Sequence, residues 1–571
     1  MSIFSDFQKD IILHCTQSFA SDALDTSKIV VELPRDEKHG DLSTNAAMVL
    51  AKQVGKPPRE IASMLADSLS ARDDVSAVDI AGPGFINITL TAGRWGQELG
   101  PILSAKQDYG RIEAPAHASP INVEFVSANP TGPLHAAHAR GAIFGDALAN
   151  VLDFTGHKVV REYYINDAGA QVDTLARSAF LRYLQALGEP DITIGEGLYP
   201  GAYLIEVGEA LCDEFGDQFR GQPEDVWLAP VRSFTIDRML QSIKSDLEKL
   251  GVKMDIYSSE RALVDSGMVA DAISQLERDG HVYRGVLEPP KGQLPEDWEP
   301  REQLLFKATD FGDDIDRPLQ KSDGSWTYFA SDVAYHMDKY RRTSGPLINV
   351  WGADHGGYVK RMQAATKALS GKDDVLDVRL CQLVSLLDKG KPVKMSKRAG
   401  TFVTLSDVMD AVGADVMRFI MLTRRNDQTL EFDYAKVTEK SRENPVFYVQ
   451  YAHARACSVL TQNAGQDVTA AQAGKLTDIH ELRVIKHLAS WPSLVMSASK
   501  SHEPHRICFY LIELAGLFHG LWTAGRENPA LRFIVENDEE LTSARMALVQ
   551  STAYILQSGL RLLSVTPLEE M

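Results

Sequence analysis

The chain has 571 residues, 44% hydrophobic and 24% charged, the make-up of a globular protein with about three or four domains. Its net charge of −19 disfavours nonspecific binding to a polyanion, and no stretch offers the ~18–20 uncharged apolar residues that a membrane helix needs. Five scattered cysteines form no Cys-x-x-Cys pair, which argues against a disulfide framework or cysteine zinc site and leads us to expect a reducing cytoplasm with no membrane partner.

The N-terminal stretch MSIFSDFQKD has neither the basic region nor the small-residue cleavage site of a secretory leader. Residues 1–110 read as an α+β unit, with helical periodicity in STNAAMVLAKQV and REIASMLADSLS and strand alternation in GFINITL. The segment SAKQDYGRIEAPAHASP has the Gly and Pro punctuation of a linker. A change of texture follows. INVEFVS alternates Ile121, Val123 and Phe125 as a strand does, ANPTGP predicts a turn, and Ile143, Phe144, Ala147, Leu148, Val151 and Leu152 recur at helical spacing up to Gly156. KVVREYYI predicts a second strand. Strand, helix and strand in about 45 residues make a βαβ unit, so a parallel sheet with ligands at its carboxyl edge is expected.

Residues from about 166 to 300 read as an acidic, largely helical insertion. WTYFASDVAYHMDKY, PLINVWGADHGGYVKRMQAATKAL and VRLCQLVSLL then resume the strand–helix alternation, completing an α/β domain over 118–405. A helical connector over 406–440 and an all-helical domain over 441–571 are predicted. In the latter, Glu513 and His519 interrupt ICFYLIELAGLFHGLW and mark it as a buried helix. The last domain has 11 Lys/Arg against 13 Asp/Glu, so −17 of the net charge lies elsewhere and a local basic footprint remains open.

The histidines His135 and His138 raise the question of chemistry. A metal pair lacks a carboxylate or cysteine at ligand spacing. Two histidines satisfying backbone groups are an ordinary alternative. The third reading places them at the N-terminus of the first helix after the first strand, where free N–H groups and the helix dipole favour a phosphate. Imidazole donors would add to that stabilisation as charge grows in a transition state. The run DKGKPVKMSKR, with five Lys/Arg against one Asp, supplies a second candidate phosphate-binding segment, although a solvated loop is the common fate of such runs.

The combination is more specific than either part. His135-Ala136-Ala137-His138 resembles the HIGH motif of class I aminoacyl-tRNA synthetases, and Lys394-Met395-Ser396-Lys397 matches their KMSK motif. ANPTGPLHAAHARGA, YYINDAGAQ, WGADHGGYVKR, NPVFYVQYAHARA and EPHRICFYLIELAGLFHGLW resemble the arginyl-tRNA synthetase family, in family order, through nearly the whole chain. That resemblance implies a Rossmann-type catalytic domain, an N-terminal domain touching the tRNA elbow, and a helical C-terminal domain reading the anticodon. It implies that His135, His138, Lys394 and Lys397 act on the phosphates. ATP would lie against Ala128, Asn129, Pro130, Thr131, Gly132, Pro133, Leu134, Ala136 and Ala137 together with both histidines, Met395 and Ser396. Arginine would be held by Glu124, Asn129, Tyr328 and Asp332, with Asp354 or His355 at the sheet edge; planar carboxylates suit a guanidinium. Tyr448, Tyr451 and Arg455 would contact tRNA(Arg). The resemblance also implies Mg²⁺ carried by ATP, no metal held by the protein itself, a monomer, and arginine activation that requires tRNA. A nucleotidylyltransferase shares the histidine signature but needs no helical C-terminal domain. A non-enzymatic RNA-binding relative has no use for an intact Lys-Met-Ser-Lys loop.

Overall fold

The computed structural model describes residues 3–19, 24–34, 36–189, 191–287, 302–393, 403–439, 443–463 and 468–571. The chain divides into two compact units, one of residues 113–439 and one made by residues 1–112 together with 440–571.

The first unit is built on five parallel strands: β1 (Ile121–Glu124), β2 (Val159–Ile165), β3 (Ile256–Ser259), β4 (Leu347–Gly352) and β5 (Leu376–Cys381). Their order across the sheet is β5-β4-β1-β2-β3. The chain leaves β1 toward β2 on one side and later returns to β4 on the other. Its switch point therefore lies at the carboxyl end of β1, where such sheets bind ligands. All four residues of β1 are buried, as a strand covered on both faces requires. Glu124 is in register with Asn349 on β4 and Glu162 on β2.

The helix Ala136–Phe154 follows β1 and is apolar nearly all round, with Ile143, Phe144, Leu148 and Val151 in the core. Fully burying each such side chain stabilises by about 1.5–3 kcal/mol. A glycine is required at 145, because a Cβ there would lie 2.3 Å from the Phe125 ring. The helix ends at Phe154, and Gly156 takes the left-handed conformation (φ 90°) just beyond it.

Two stretches differ from the sequence reading. The segment 166–300 does contain helices Ala170–Ala186, Tyr203–Phe215 and Glu224–Lys249, which share a core around Leu175, Phe180, Tyr183, Leu204 and Trp227. It also contains β3, the edge strand of the main sheet. Four residues reading Ile-Tyr-Ser-Ser have too little apolar alternation to be recognised as a strand. Beyond 405, the strand Leu430–Asp433 pairs in parallel with Val384–Asp388 in what otherwise reads as helix.

The second unit joins both ends of the chain. Residues 1–112 form a four-stranded antiparallel sheet with helices Ile3–Phe19, Ala46–Val54 and Pro58–Ser70. Residues 440–571 form helices Pro445–Gln462, Ile479–Ala489, Trp491–Ser501, His505–Glu527 and Glu539–Leu562. Part of the stretch read as a linker is helical, and Leu99–Ala105 packs against Glu539–Leu562. Lys486 pairs with Asp41 at 2.7 Å, and a Cβ on Gly96 would lie 2.1 Å from the carbonyl oxygen of Ala473. Among the described residues, His505–Glu527 is the one helix long and apolar enough to cross a membrane; it buries Ile507, Leu511, Leu514 and Phe518 within this unit.

Candidate active site

The backbone turns sharply where β1 ends. Val126 and Ser127 both adopt positive φ (70° and 41°), a conformation that costs a non-glycine residue about 1–3 kcal/mol and clusters at functional sites. The turn is held by side chains. The Ser127 hydroxyl donates to Glu124 Oε1 (3.0 Å) and accepts from the Tyr164 amide (3.1 Å). The Tyr163 hydroxyl donates to the Ala128 carbonyl (2.7 Å). Tyr203, from the insertion, donates to the Thr131 carbonyl (2.8 Å), and Asn129 donates to Gln171 (3.0 Å).

His135 then caps the helix with extended backbone (φ −102°, ψ 163°), and its N–H donates to Nδ1 of His138 at 3.2 Å. The two rings stack with centroids 3.6 Å apart. Residues 403–405 run antiparallel to this segment: Leu405 N–H donates to the Leu134 carbonyl (2.7 Å) and Ala136 N–H to the Val403 carbonyl (3.3 Å). The chain just past the Lys-Met-Ser-Lys stretch is thus fastened to the histidine segment. Before that stretch, strands Val384–Asp388 and Lys391–Pro392 form a hairpin, and the Asp433 carboxylate accepts the turn's Lys389 and Gly390 N–H groups (3.1 and 2.8 Å). Lys394, Met395, Ser396 and Lys397 lie outside the described residues.

A cavity of about 810 Å³ opens over this turn. Ala128, Asn129, Thr131, Gly132, Pro133, His135, Ala137 and His138 line it, as do Asp354 and His355 beyond β4. Asp354 and His355 are well exposed, with Nε2 of the histidine 3.6 Å from the carboxylate. Pro130 is not among the lining residues, and the side chains of Leu134 and Ala136 point into the core, so only their backbones could face a ligand. Gln171, Tyr199 and Tyr203 line the cavity from the insertion; Gln171 closes the YYINDAGAQ stretch, whereas the two tyrosines carry no signal in the sequence that would have revealed them.

Glu124, Tyr328 and Asp332 are not on the cavity's lining. Glu124 is 4% exposed, and its partner is Lys339, whose ammonium donates to Oε2 at 2.7 Å. The apolar neighbours of Glu124 on β1 mark it as a buried acid in need of a partner, but nothing in the sequence singles out the lysine. Asp332, two helical turns before Lys339 on the helix Tyr328–Thr343, accepts from the Tyr358 hydroxyl at 2.5 Å. Burial pushes its carboxyl up to about 7, with the charges of Glu260 and Glu124 adding to the effect and the Tyr358 hydrogen bond opposing it. Tyr328 opens the same helix but is 65% exposed, so the two do not form a closed pair.

The second unit holds an aromatic cluster. The Arg455 guanidinium lies over the rings of Tyr451 (4.4 Å) and Trp522 (4.5 Å) and donates to the Tyr451 hydroxyl at 2.6 Å. His519 ties this group to Tyr448, with ring centroids 4.7 Å apart.

Comparisons with known proteins decide the family. A family model described as the catalytic domain of class I (R) tRNA synthetases matches residues 98–199 and 298–456; an arginyl-tRNA synthetase N-terminal domain matches 6–90, and a DALR anticodon-binding domain matches 449–571. The chain is 55% identical to an arginine–tRNA ligase of Ruegeria pomeroyi over the full length of both. The chain belongs to the arginyl-tRNA synthetase family. It is 54% identical to the Azorhizobium caulinodans arginine–tRNA ligase, over all of this chain and 99% of that one. Its fold matches the Thermus thermophilus arginyl-tRNA synthetase structure with a TM-score of 0.72, at 21% identity and full coverage of both chains. Membership makes the chain an aminoacyl-tRNA synthetase, an arginine–tRNA ligase whose substrates are arginine, ATP and tRNA.

Proposed function

We propose that the cavity above β1 is where this synthetase joins arginine to AMP and then to tRNA(Arg). The arginine carboxylate attacks the α-phosphorus of ATP and pyrophosphate departs; a ribose hydroxyl of the tRNA then attacks the arginyl carbonyl of the adenylate, and AMP leaves. The protein's part is positioning and charge stabilisation. His135 and His138 donate to the phosphates, and Lys394 and Lys397 receive the developing charge of pyrophosphate. Mg²⁺ arrives on the phosphate oxygens of ATP as part of the substrate. Glu124, Asn129, Tyr328 and Asp332 hold arginine, with the Asp332 carboxylate facing its guanidinium and Asp354 or His355 at the carboxyl edge of the sheet.

The observation that carries this reading is the stacked pair of histidines at a helix start, with residues 403–405 fastened beside them. The described chain that follows the Lys-Met-Ser-Lys stretch thereby runs beside the histidine segment, which supports a shared role on the phosphates. Residues 1–110 are assigned to the tRNA elbow and residues 441–571 to the anticodon, where Tyr448, Tyr451 and Arg455 offer ring faces to unstacked bases. Activation is taken to require bound tRNA, and the enzyme to act as a cytoplasmic monomer; its five free cysteines fit a reducing compartment.

The test is rapid-quench measurement of arginyl-adenylate in His138→Asn. The rate should fall by roughly 10- to 1,000-fold, the range for losing one transition-state donor, with tRNA affinity unchanged. An unaltered rate would remove the histidines from the phosphate site.

A further inference from the structure

The helix Ala136–Phe154 carries a buried positive charge with no anionic partner. Arg140, on its second turn, is 2% exposed, and among the described residues no carboxylate pairs with its guanidinium. The partners are main-chain carbonyls. Nη1 donates to those of Gln382 (3.0 Å) and Gln428 (2.5 Å), Nη2 donates to that of Arg425 (2.7 Å), and Nε has no partner. These oxygens come from two segments well apart in the chain. Gln382 directly follows β5, and Arg425–Gln428 form a turn in which the Gln428 N–H donates to the Arg425 carbonyl (3.1 Å). The segments are also tied to each other, the Gln382 N–H donating to the Asn426 carbonyl (2.8 Å) and the Asn426 amide to the Leu380 carbonyl (2.9 Å). Arg140 thus fastens a ready-made block to the histidine helix.

Stability alone does not account for an arginine here. Burying a guanidinium against neutral acceptors carries a desolvation cost that an apolar side chain avoids. What the residue supplies is geometry, because its planar fork reaches several carbonyls at once in fixed directions. Both bodies that it joins are walls of the cavity. Ala137, His138 and Gly141 line it from the helix, and Cys381, Gln382 and Leu383 line it from the end of β5. The walls differ in character. Imidazoles at a helix start occupy one, whereas Leu383, 69% exposed, presents apolar surface on the other. A ligand with a charged end and a flat apolar end, as ATP has, suits the pair.

We propose that Arg140 is a positioning residue for ATP, setting the separation between the wall that takes the phosphates and the wall that takes the base. This rests on the reading of His135 and His138 given above. Arg140 is not on the cavity's lining, so it acts through Gln382 and its neighbours rather than on the substrate. ATP gains from being gripped at both ends only while the two walls keep the distance between its base and its phosphates. A fragment that carries one end alone does not depend on that distance.

The test uses the full-length enzyme with arginine and its tRNA. Arg140→Met removes the fork and keeps an unbranched side chain in its place. The ATP KM should rise about 10- to 100-fold, with arginine and tRNA KM unchanged within about twofold. Adenosine and tripolyphosphate, each engaging one wall, should inhibit with Ki values within about twofold of the parent's, which general damage to the site would not allow. Arg140→Lys, whose single ammonium cannot fork, should raise the ATP KM about 3- to 10-fold. His138→Asn is the control. If it slows adenylate formation while folded Arg140→Met keeps the parent's ATP KM, the positioning role is overturned and the site reading stands. Fragments weakened as much as ATP would also overturn it, leaving Arg140 a support of the fold alone. If His138→Asn leaves adenylate formation unaltered, the phosphate reading falls and this inference with it. Should Arg140→Met fail to fold, Arg140→Lys decides, and an unchanged ATP KM in that folded variant overturns the proposal.

Discussion

Replacing Asp332 by asparagine separates function from stability with opposite signs. The substitution keeps an oxygen to accept the Tyr358 hydroxyl, so the hydrogen bond at 2.5 Å has a successor and the helix Tyr328–Thr343 should persist. What is lost is a negative charge facing the guanidinium. Removing one partner of a sheltered ion pair costs about 2–4 kcal/mol, or roughly 30- to 1,000-fold in kcat/KM for arginine. Stability moves the other way. The carboxyl sits at about 7 in the folded protein against an ordinary value of 3.8, so its ionised form is disfavoured by folding. At 1.36 kcal/mol per unit, the folded state gives up at most about 4 kcal/mol when the group is ionised, less because the side chain keeps some surface in water. Between those two values the folded protein binds the extra proton, so stability declines as pH rises from about 4 to about 7 and the full penalty applies above 7. Asp332→Asn should therefore melt at a higher temperature than the parent at pH 8, with the gain gone by pH 4. The parent's arginine KM should fall as pH rises through 7, because the guanidinium pairs with the ionised carboxylate. Aminoacylation kinetics and thermal melts at several pH values test both halves. A lower melting temperature at pH 8 together with an unchanged arginine KM would refute the reasoning.

The remaining predictions concern other parts of the molecule. Lys397→Ala should slow arginine activation by roughly one to three orders of magnitude with fold and tRNA affinity intact; a normal rate in single-turnover assays would give the loop another role. Ala137, which lines the cavity where the HIGH motif carries glycine, should tolerate Ala137→Gly with a slightly lower melting temperature, glycine being about 1 kcal/mol less favourable in a helix. The ATP KM of that variant should stay the same or improve by at most about tenfold, and a clear worsening in the folded protein would make the alanine a fitted part of the site. Arg545→Met removes the partner of buried Glu481, now 2.7 Å away, and should cost about 3–5 kcal/mol, lowering the melting temperature by roughly 6–20 °C. A shift under a few degrees would show that the pair is dispensable.

The parts of the site that could be read from the sequence are local. His135 and His138 stand out because strand, turn and helix follow one another within 40 residues and place them at a helix start. The burial of Glu124 was legible from its apolar neighbours on β1. Its partner was not, because Lys339 lies 215 residues away and approaches only when the helix Tyr328–Thr343 packs beside β1. A trace existed in that helix, where Asp332 and Lys339 stand seven residues apart and so share a face. The contribution of Tyr203 left no such trace, since it depends on how the insertion folds back over the turn. Tyr328 shows the limit of spacing arguments: being four residues from Asp332 put it on the right helix but left its side chain exposed.

The most direct measurement of the central claim is ATP–pyrophosphate exchange with each of the twenty amino acids, run with and without tRNA(Arg), in the wild-type enzyme and in Asp332→Asn. Exchange should appear with arginine alone, only when tRNA is present, and should fall steeply in the variant as the arginine KM rises while the ATP KM holds. Full exchange by the purified protein without RNA, a preference for another amino acid, or an unchanged arginine KM in Asp332→Asn would contradict the account.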